Sequence, residues 1–239
     1  IAAAVQNAQI ARDKAAAPQP KYIALDIGPC GKLLKPYGDL AFEDAVSLFA
    51  EVVRLGAANG VDLIYIETMS DSYETKAALL AAKENCKLPV FVSNAYGEDG
   101  KLMTGASPAA MVAMAEGMGA DAIGANCSLE PKQMQGVVAE LLANASIPVL
   151  LKPNAGLPVM TDDGRAVYDI DFYTSASAGR IRRRYGCLYP ARRAYRGRML
   201  RHDTGLYPKN RCAFSCAYPC PADGQRDHLR VLLHPRDQV

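Results

Sequence analysis

The sequence lacks several features that would each point elsewhere. It contains no apolar run of 18 residues, so no transmembrane helix is expected and membrane partners are set aside. Its seven cysteines are too few for a disulfide scaffold in 239 residues, and an odd number argues against full pairing. The opening stretch IAAAVQNAQIARDKAAA has no basic region followed by an apolar core, so no secretory signal is expected and the setting is read as cytoplasmic. No GxGxxG follows the first strand-like segment, which disfavours a dinucleotide-binding fold. No Cys-Cys pair occurs anywhere in the chain. What remains is half hydrophobic and 22% charged, the balance of a globular protein rather than a disordered one.

The net charge of +2 is an average over two unlike pieces. Residues 1–171 hold 13 Lys and Arg against 21 Asp and Glu, which gives −8. Residues 172–239 hold 13 Arg and 1 Lys against 4 Asp and no Glu, which gives +10. All three histidines (His202, His228, His234) lie in the second piece. We therefore divide the chain into a body, 1–171, and an Arg-rich tail, 172–239, expected to be irregular and disordered.

The body reads as repeated βα units. Short apolar segments at Tyr22–Ile27, Leu63–Glu67, Val90–Ser93, Ala122–Ala125 and Val149–Lys152 each follow a Pro, Gly or Asp signal, as in GVDLIYIE and GADAIGAN. Between them run helical patterns at Phe42–Asn59, Ser72–Asn85, Ser107–Met118 and Lys132–Asn144, read as amphipathic, with a further helix at Ile1–Ala16. Near-continuous apolar strands joined by helices predict a parallel sheet buried on both faces. The regular spacing favours an α/β (β/α)8 TIM barrel, of which the body covers about five of eight units. Chemistry in such a barrel sits at the strand C-termini. The polar residues there are Asp26, Glu67, Asn94, Asn126 with Cys127, and Asn154, and they are expected to converge on one mouth. Asp26 is read as a structural turn carboxylate. Ser70, Asp71 and Ser72 read as a helix start. Cys30 and Cys86 read as incidental thiols. Glu67 could instead cap the next helix, and Asn154 before Ala-Gly could be a turn residue.

The segments DIGPCGKLL, IETMSD, GANCSLEP and KPNAGLP, in that order and spacing, resemble the homocysteine S-methyltransferase family. The likeness is greatest to the homocysteine-binding domains of its cobalamin-dependent members, and Glu130 stands where the family usually has Gly. The resemblance implies a (β/α)8 barrel that transfers a methyl group to the thiol of homocysteine, giving methionine. It implies a zinc ion held by three cysteines, of which Cys127 is the first. It implies that Glu67 holds the amino group of homocysteine, while Asn126 and Asn154 shape the pocket. The sequence does not name the methyl donor: the likeness favours methylcobalamin with methyltetrahydrofolate, supplied by a methyl-donor domain, beside a methylated sulfonium or betaine as small-molecule donors. The residue types suit that chemistry, because the thiolate is the nucleophile and zinc deprotonates a bound thiol.

The family's other two zinc cysteines come from a GGCCGTTP motif that this chain lacks. The segment RGRMLRHDTGLYPKN, Arg196 to Asn210, can be back-translated so that the frame one base later reads GGGCCGTTPDYIRKT. RYGCLYPARRAY, Arg184 to Tyr195, recodes in the same frame to GMAACIQHGVRI. We read the tail as a shifted frame, which makes its arginines a by-product of codon usage. By this reading the barrel is incomplete at both ends and the chain as written is inactive. Two rivals stand beside it. One is another TIM-barrel lyase or aldolase, for which Lys152 is the candidate Schiff-base residue. The other is a non-enzymatic protein that binds nucleic acid through its basic tail, RIRRR (Arg180–Arg184) included. The spacing Cys212-x3-Cys216-x3-Cys220 does not match a standard zinc finger.

Overall fold

A computed structural model describes residues 1–15 and 20–154, with three short strands at 159–160, 166–167 and 212–214. In chain order the elements are α1 (Ala2–Lys14), β1 (Ala24–Ile27), α2 (Phe42–Ala58), β2 (Leu63–Met69), α3 (Ser72–Asn85), β3 (Val90–Asn94), α4 (Pro108–Gly117), β4 (Ala122–Asn126), α5 (Gln135–Asn144) and β5 (Val149–Lys152). β6 (Val159–Met160) and β7 (Ala166–Val167) form a separate antiparallel pair. β8 (Cys212–Phe214) joins β5 in parallel, so the sheet order is β1-β2-β3-β4-β5-β8. The shifted-frame and disorder expectations for the tail lie outside the described residues, as does the Cys212–Cys220 spacing apart from the β8 backbone.

The parallel sheet with its alternating helices is part of a TIM barrel, as the sequence predicts. Each strand turns one side to the helices and the other to the barrel interior. Ile64, Ile66, Val90, Val92, Ile123 and Leu151 are essentially fully buried, and Phe49 and Val53 of α2 join the same core. Burying each such side chain contributes roughly 1.5–3 kcal/mol. One feature departs from expectation. β1 is covered on one face only, with Ala24 and Asp26 exposed, because no described strand closes the barrel beyond it. The α3 helix buries Glu74, Thr75, Ala77, Ala78, Leu79, Ala81 and Ala82 against α2, α4 and the sheet and leaves Tyr73, Lys76, Lys83 and Glu84 exposed on the opposite side.

The Asp signals before strands have a structural job. Asp62 Oδ2 accepts from the Ile23 N–H at 2.6 Å, and Asp121 Oδ2 accepts from the Val90 N–H at 2.9 Å. Each aspartate thus satisfies a backbone donor beside the preceding strand at the N-terminal face of the barrel, the face that reads as stability. Glu116 does similar work before β5, accepting from the Ser146 N–H at 2.5 Å and its hydroxyl at 2.6 Å. At the opposite face Asp71 is the N-cap of α3, accepting from the Tyr73 N–H at 2.9 Å. Ser107 caps α4 with Pro108 in its first turn. α5 begins at Gln135 rather than Lys132, because the chain from Pro131 first makes a turn.

Candidate functional site

The period of two along a strand decides which side chains reach the interior. On β2 it selects Tyr65 and Glu67, on β3 Ser93, on β4 Gly124 and Asn126, and on β5 Leu150 and Lys152. The register agrees, pairing Ser93 with Gly124 and Asn126 with Lys152. Asn94 falls on the other side. Its Nδ2 donates to the Met69 carbonyl at 3.2 Å and to Thr75 Oγ1 at 2.9 Å, under α3. The expectation that Asn94 faces the mouth is therefore corrected: β3 contributes Ser93 instead.

Asn126 is the centre of the site. It is 5% exposed, and its Oδ1 accepts from Ser93 Oγ at 2.5 Å and from the Thr68 N–H at 2.9 Å. Its Nδ2 donates to Thr68 Oγ1 at 2.7 Å. These bonds link β4 to β2 across β3. They hold Thr68 at φ 62°, in the left-handed region that a β-branched residue rarely enters. The β2–β3 register slips between Ile66 and Met69 at the same place. A bulge of this kind re-aims its neighbours, here Glu67.

Glu67 forms an ion pair with Lys152, both side chains about one-fifth exposed (20% and 22%). The Lys152 ammonium lies 4.7 Å from the centre of the Tyr65 ring, a cation–π distance. The Tyr65 hydroxyl is 2.9 Å from Ser93 Oγ. Burial pushes the Tyr65 phenol far above its usual range; the Ser93 hydrogen bond opposes this and the charge on Glu67 adds to it. Asp26 is not in a turn, contrary to expectation, but on the interior side of β1. Partial desolvation by its neighbours raises the carboxyl of this exposed residue first, Glu67 raises it further, and Lys152 pulls it back.

Cys127 follows Asn126 at the mouth, exposed and free, with φ 60°. Its N–H donates to the Lys152 carbonyl at 3.0 Å, which extends the β4–β5 ladder one residue further. Ser128 also has positive φ, at 52°, whereas Glu130 does not, so the backbone at Glu130 accepts a side chain without strain. Asn154 lies two residues past the end of β5, and its N–H donates to the Leu129 carbonyl at 3.0 Å. Ser128 and Leu129 also line a cleft of about 390 Å³ with Ser70, Tyr96, Lys101 and Met103. Among the described residues, no three of His, Cys, Asp and Glu come together as a metal set. A catalytic zinc needs three protein ligands, and these residues offer one thiol, Cys127. They do not by themselves fit the ion.

The structure thus brings together Glu67, Asn126 and Cys127, with Asn154 on the adjoining loop. Tyr65, Thr68 and Ser93 were not anticipated, and Lys152 was weighed only as a Schiff-base candidate. Strand alternation carried the signal for Tyr65, Ser93 and Lys152. Nothing local marks Thr68.

A carboxylate on β2 and an amide and a thiol at the end of β4, all at strand C-termini of a barrel wall, make an enzyme-type mouth. A family model for homocysteine S-methyltransferases matches residues 1–185, running past Asp171 into the Arg-rich segment. The chain belongs to the homocysteine S-methyltransferase family. It is 31% identical over 149 residues to a methionine synthase of Mycobacterium leprae and 30% identical to that of Mycobacterium tuberculosis. That alignment takes in 60% of this chain but 12% of either relative. The fold matches the homocysteine methyltransferase MmuM of Escherichia coli in its apo form, with a TM-score of 0.57 at 20% identity. It covers 73% of this chain and 64% of that one, and a metallated form of MmuM matches with the same TM-score over 62% of its length.

Proposed function

We propose that the chain is the homocysteine-binding part of a methyl-transfer system that methylates the thiol of homocysteine to give methionine. The observation that carries this is the joint placement of Glu67, Asn126 and Cys127, on motifs of the family, at one end of the sheet. Glu67 receives the substrate ammonium, a charge-assisted contact in a partly buried site. Asn126 keeps the Thr68 bulge formed and so keeps Glu67 aimed. Cys127 would supply one of the three protein ligands that a catalytic zinc needs, and Asn154 closes the pocket on the β5 side.

The likeness to methionine synthases supports methylcobalamin and methyltetrahydrofolate as the donor system, delivered by another domain. Free Cys30, Cys86 and Cys127 support a reducing, cytoplasmic setting. Among the described residues, no helix is long and apolar enough to cross a membrane. With one thiol in the described site, the 239-residue chain alone is proposed to bind homocysteine without turning it over. Isothermal titration of the full chain with L-homocysteine, beside a radiolabelled methyl-transfer assay, tests this. Binding that Glu67→Gln weakens about tenfold, a loss of about 1.4 kcal/mol, is expected, with no methyl transfer. Absence of binding overturns the substrate assignment. Turnover accompanied by tight zinc overturns the inactivity.

A further inference from the structure

On the interior face Asp26 on β1 and Glu67 on β2 are carboxylates, and Lys152 on β5 is the ammonium that acts on both. Lys152 is also the residue whose carbonyl fixes the Cys127 N–H, so its ammonium and the mouth thiol belong to one rigid ladder. Its stem comes from the strand at the far side of the curved sheet, and Tyr65 provides an aromatic face beneath the ammonium. An ion pair about one-fifth exposed on each side is reachable by a small ligand.

We propose that Glu67 and Lys152 form a two-charge clamp for the zwitterionic head of an α-amino acid. The ligand ammonium takes the Glu67 carboxylate, with Asp26 alongside. The Lys152 ammonium, freed from its resident partner, takes the ligand α-carboxylate. Before the ligand arrives, Lys152 stands in for its ammonium and holds Glu67 extended. A ligand seated between Glu67 and Lys152 brings one positive and one negative group a few ångströms apart, so an α-amino acid fits and a simple amine or a simple acid meets only half of the pair. This inference rests on the homocysteine reading and adds the group that reads the carboxylate.

The test is a binding panel on the full chain with L-homocysteine, 3-sulfanylpropylamine, which lacks the carboxylate, and 4-sulfanylbutanoate, which lacks the ammonium. L-Methionine and L-norvaline are added as α-amino acids without a free thiol. The wild type is expected to prefer homocysteine over either truncated thiol by about tenfold, the effect of one charge-assisted contact. Lys152→Met should erase the preference over 3-sulfanylpropylamine and keep the preference over 4-sulfanylbutanoate. Lys152→Arg should restore much of the first, and Glu67→Gln should erase the second. Circular dichroism melts of each variant separate loss of the clamp from loss of the fold. If Lys152→Met misfolds, the wild-type preference and the Lys152→Arg value decide alone. Homocysteine binding with the carboxylate preference intact in Lys152→Met overturns the clamp and leaves the homocysteine reading standing. Lys152-dependent binding of methionine and norvaline without homocysteine overturns the homocysteine reading and supports the clamp. No binding of any α-amino acid overturns both.

Discussion

Truncation of Asn126 to alanine probes the physical core of the site. The side chain makes three hydrogen bonds, to Ser93 Oγ, the Thr68 N–H and Thr68 Oγ1. At about 1 kcal/mol net each, they contribute roughly 3 kcal/mol. Their loss also leaves the Thr68 N–H without its partner in a partly buried place, and an unsatisfied donor costs about 1–3 kcal/mol where water cannot reach it. Against this, the clamp holds Thr68 at φ 62°, a conformation costing on the order of 1–3 kcal/mol. Releasing the clamp lets the bulge relax and recovers part of that. The expected net loss for Asn126→Ala is about 2–3 kcal/mol. Thr68→Gly should behave differently. Glycine accepts the positive φ, loses one hydrogen bond and gains unfolded-state entropy, so the terms nearly cancel and stability changes by less than about 1 kcal/mol. In a double-mutant cycle the two changes should couple, because the strain that glycine relieves is imposed by Asn126. The assay is urea unfolding followed by far-UV circular dichroism, since the chain has no tryptophan to report by fluorescence. An Asn126→Ala change within about 0.5 kcal/mol of wild type, or Thr68→Gly as damaging as Asn126→Ala, would refute the clamp.

Other consequences follow from single residues. A Cβ at Gly124 would overlap the Leu150 carbonyl of the neighbouring strand, which is backbone and cannot swing aside; Gly124→Ala should cost at least about 1–3 kcal/mol or prevent folding, and a melting temperature equal to wild type would contradict the packing. Asp26 has a carboxyl raised above 3.8, facing Glu67, Lys152 and Tyr65. Its folded form holds a proton more tightly than its unfolded form, so its contribution to stability is present below 3.8 and is lost as pH rises through the folded value. Asp26→Asn should therefore gain on wild type in urea midpoint as pH climbs through that window; a variant that falls behind has the sign wrong. DNA sequencing across the codons for residues 196–210 should show GGGCCGTTPDYIRKT one base over, and its absence from that frame ends the shifted-frame reading.

Much of the fold was legible in the sequence for physical reasons that can be named. β5 at Val149–Lys152 and α3 at Ser72–Asn85 match the expected bounds from end to end, because a Pro or Asp signal opens each and a change of apolar pattern closes it. Glu67, Asn126 and Cys127 were singled out because they sit in motifs, and the structure sets all three at the same end of the sheet. Asn94 was misplaced because strand ends were treated as a set, without asking which side of the sheet each residue faces. Ser93, one position earlier, was missed by the same step. Thr68 was beyond reach. Its strain arises from Asn126, 58 residues further along, and no local pattern encodes that bond. The Glu67–Lys152 pair spans 85 residues and depends on the curvature of the sheet, which propensity does not show.

The central claim is that homocysteine sits at the mouth formed by β2, β4 and β5. The most direct measurement is a titration of the isotopically labelled full chain with L-homocysteine, followed by backbone amide resonances. The account predicts saturable shifts at Glu67, Thr68, Asn126, Cys127 and Lys152, with the N-terminal face around Asp62 and Asp121 unmoved. Shifts absent from that group, or concentrated elsewhere on the chain, would contradict it.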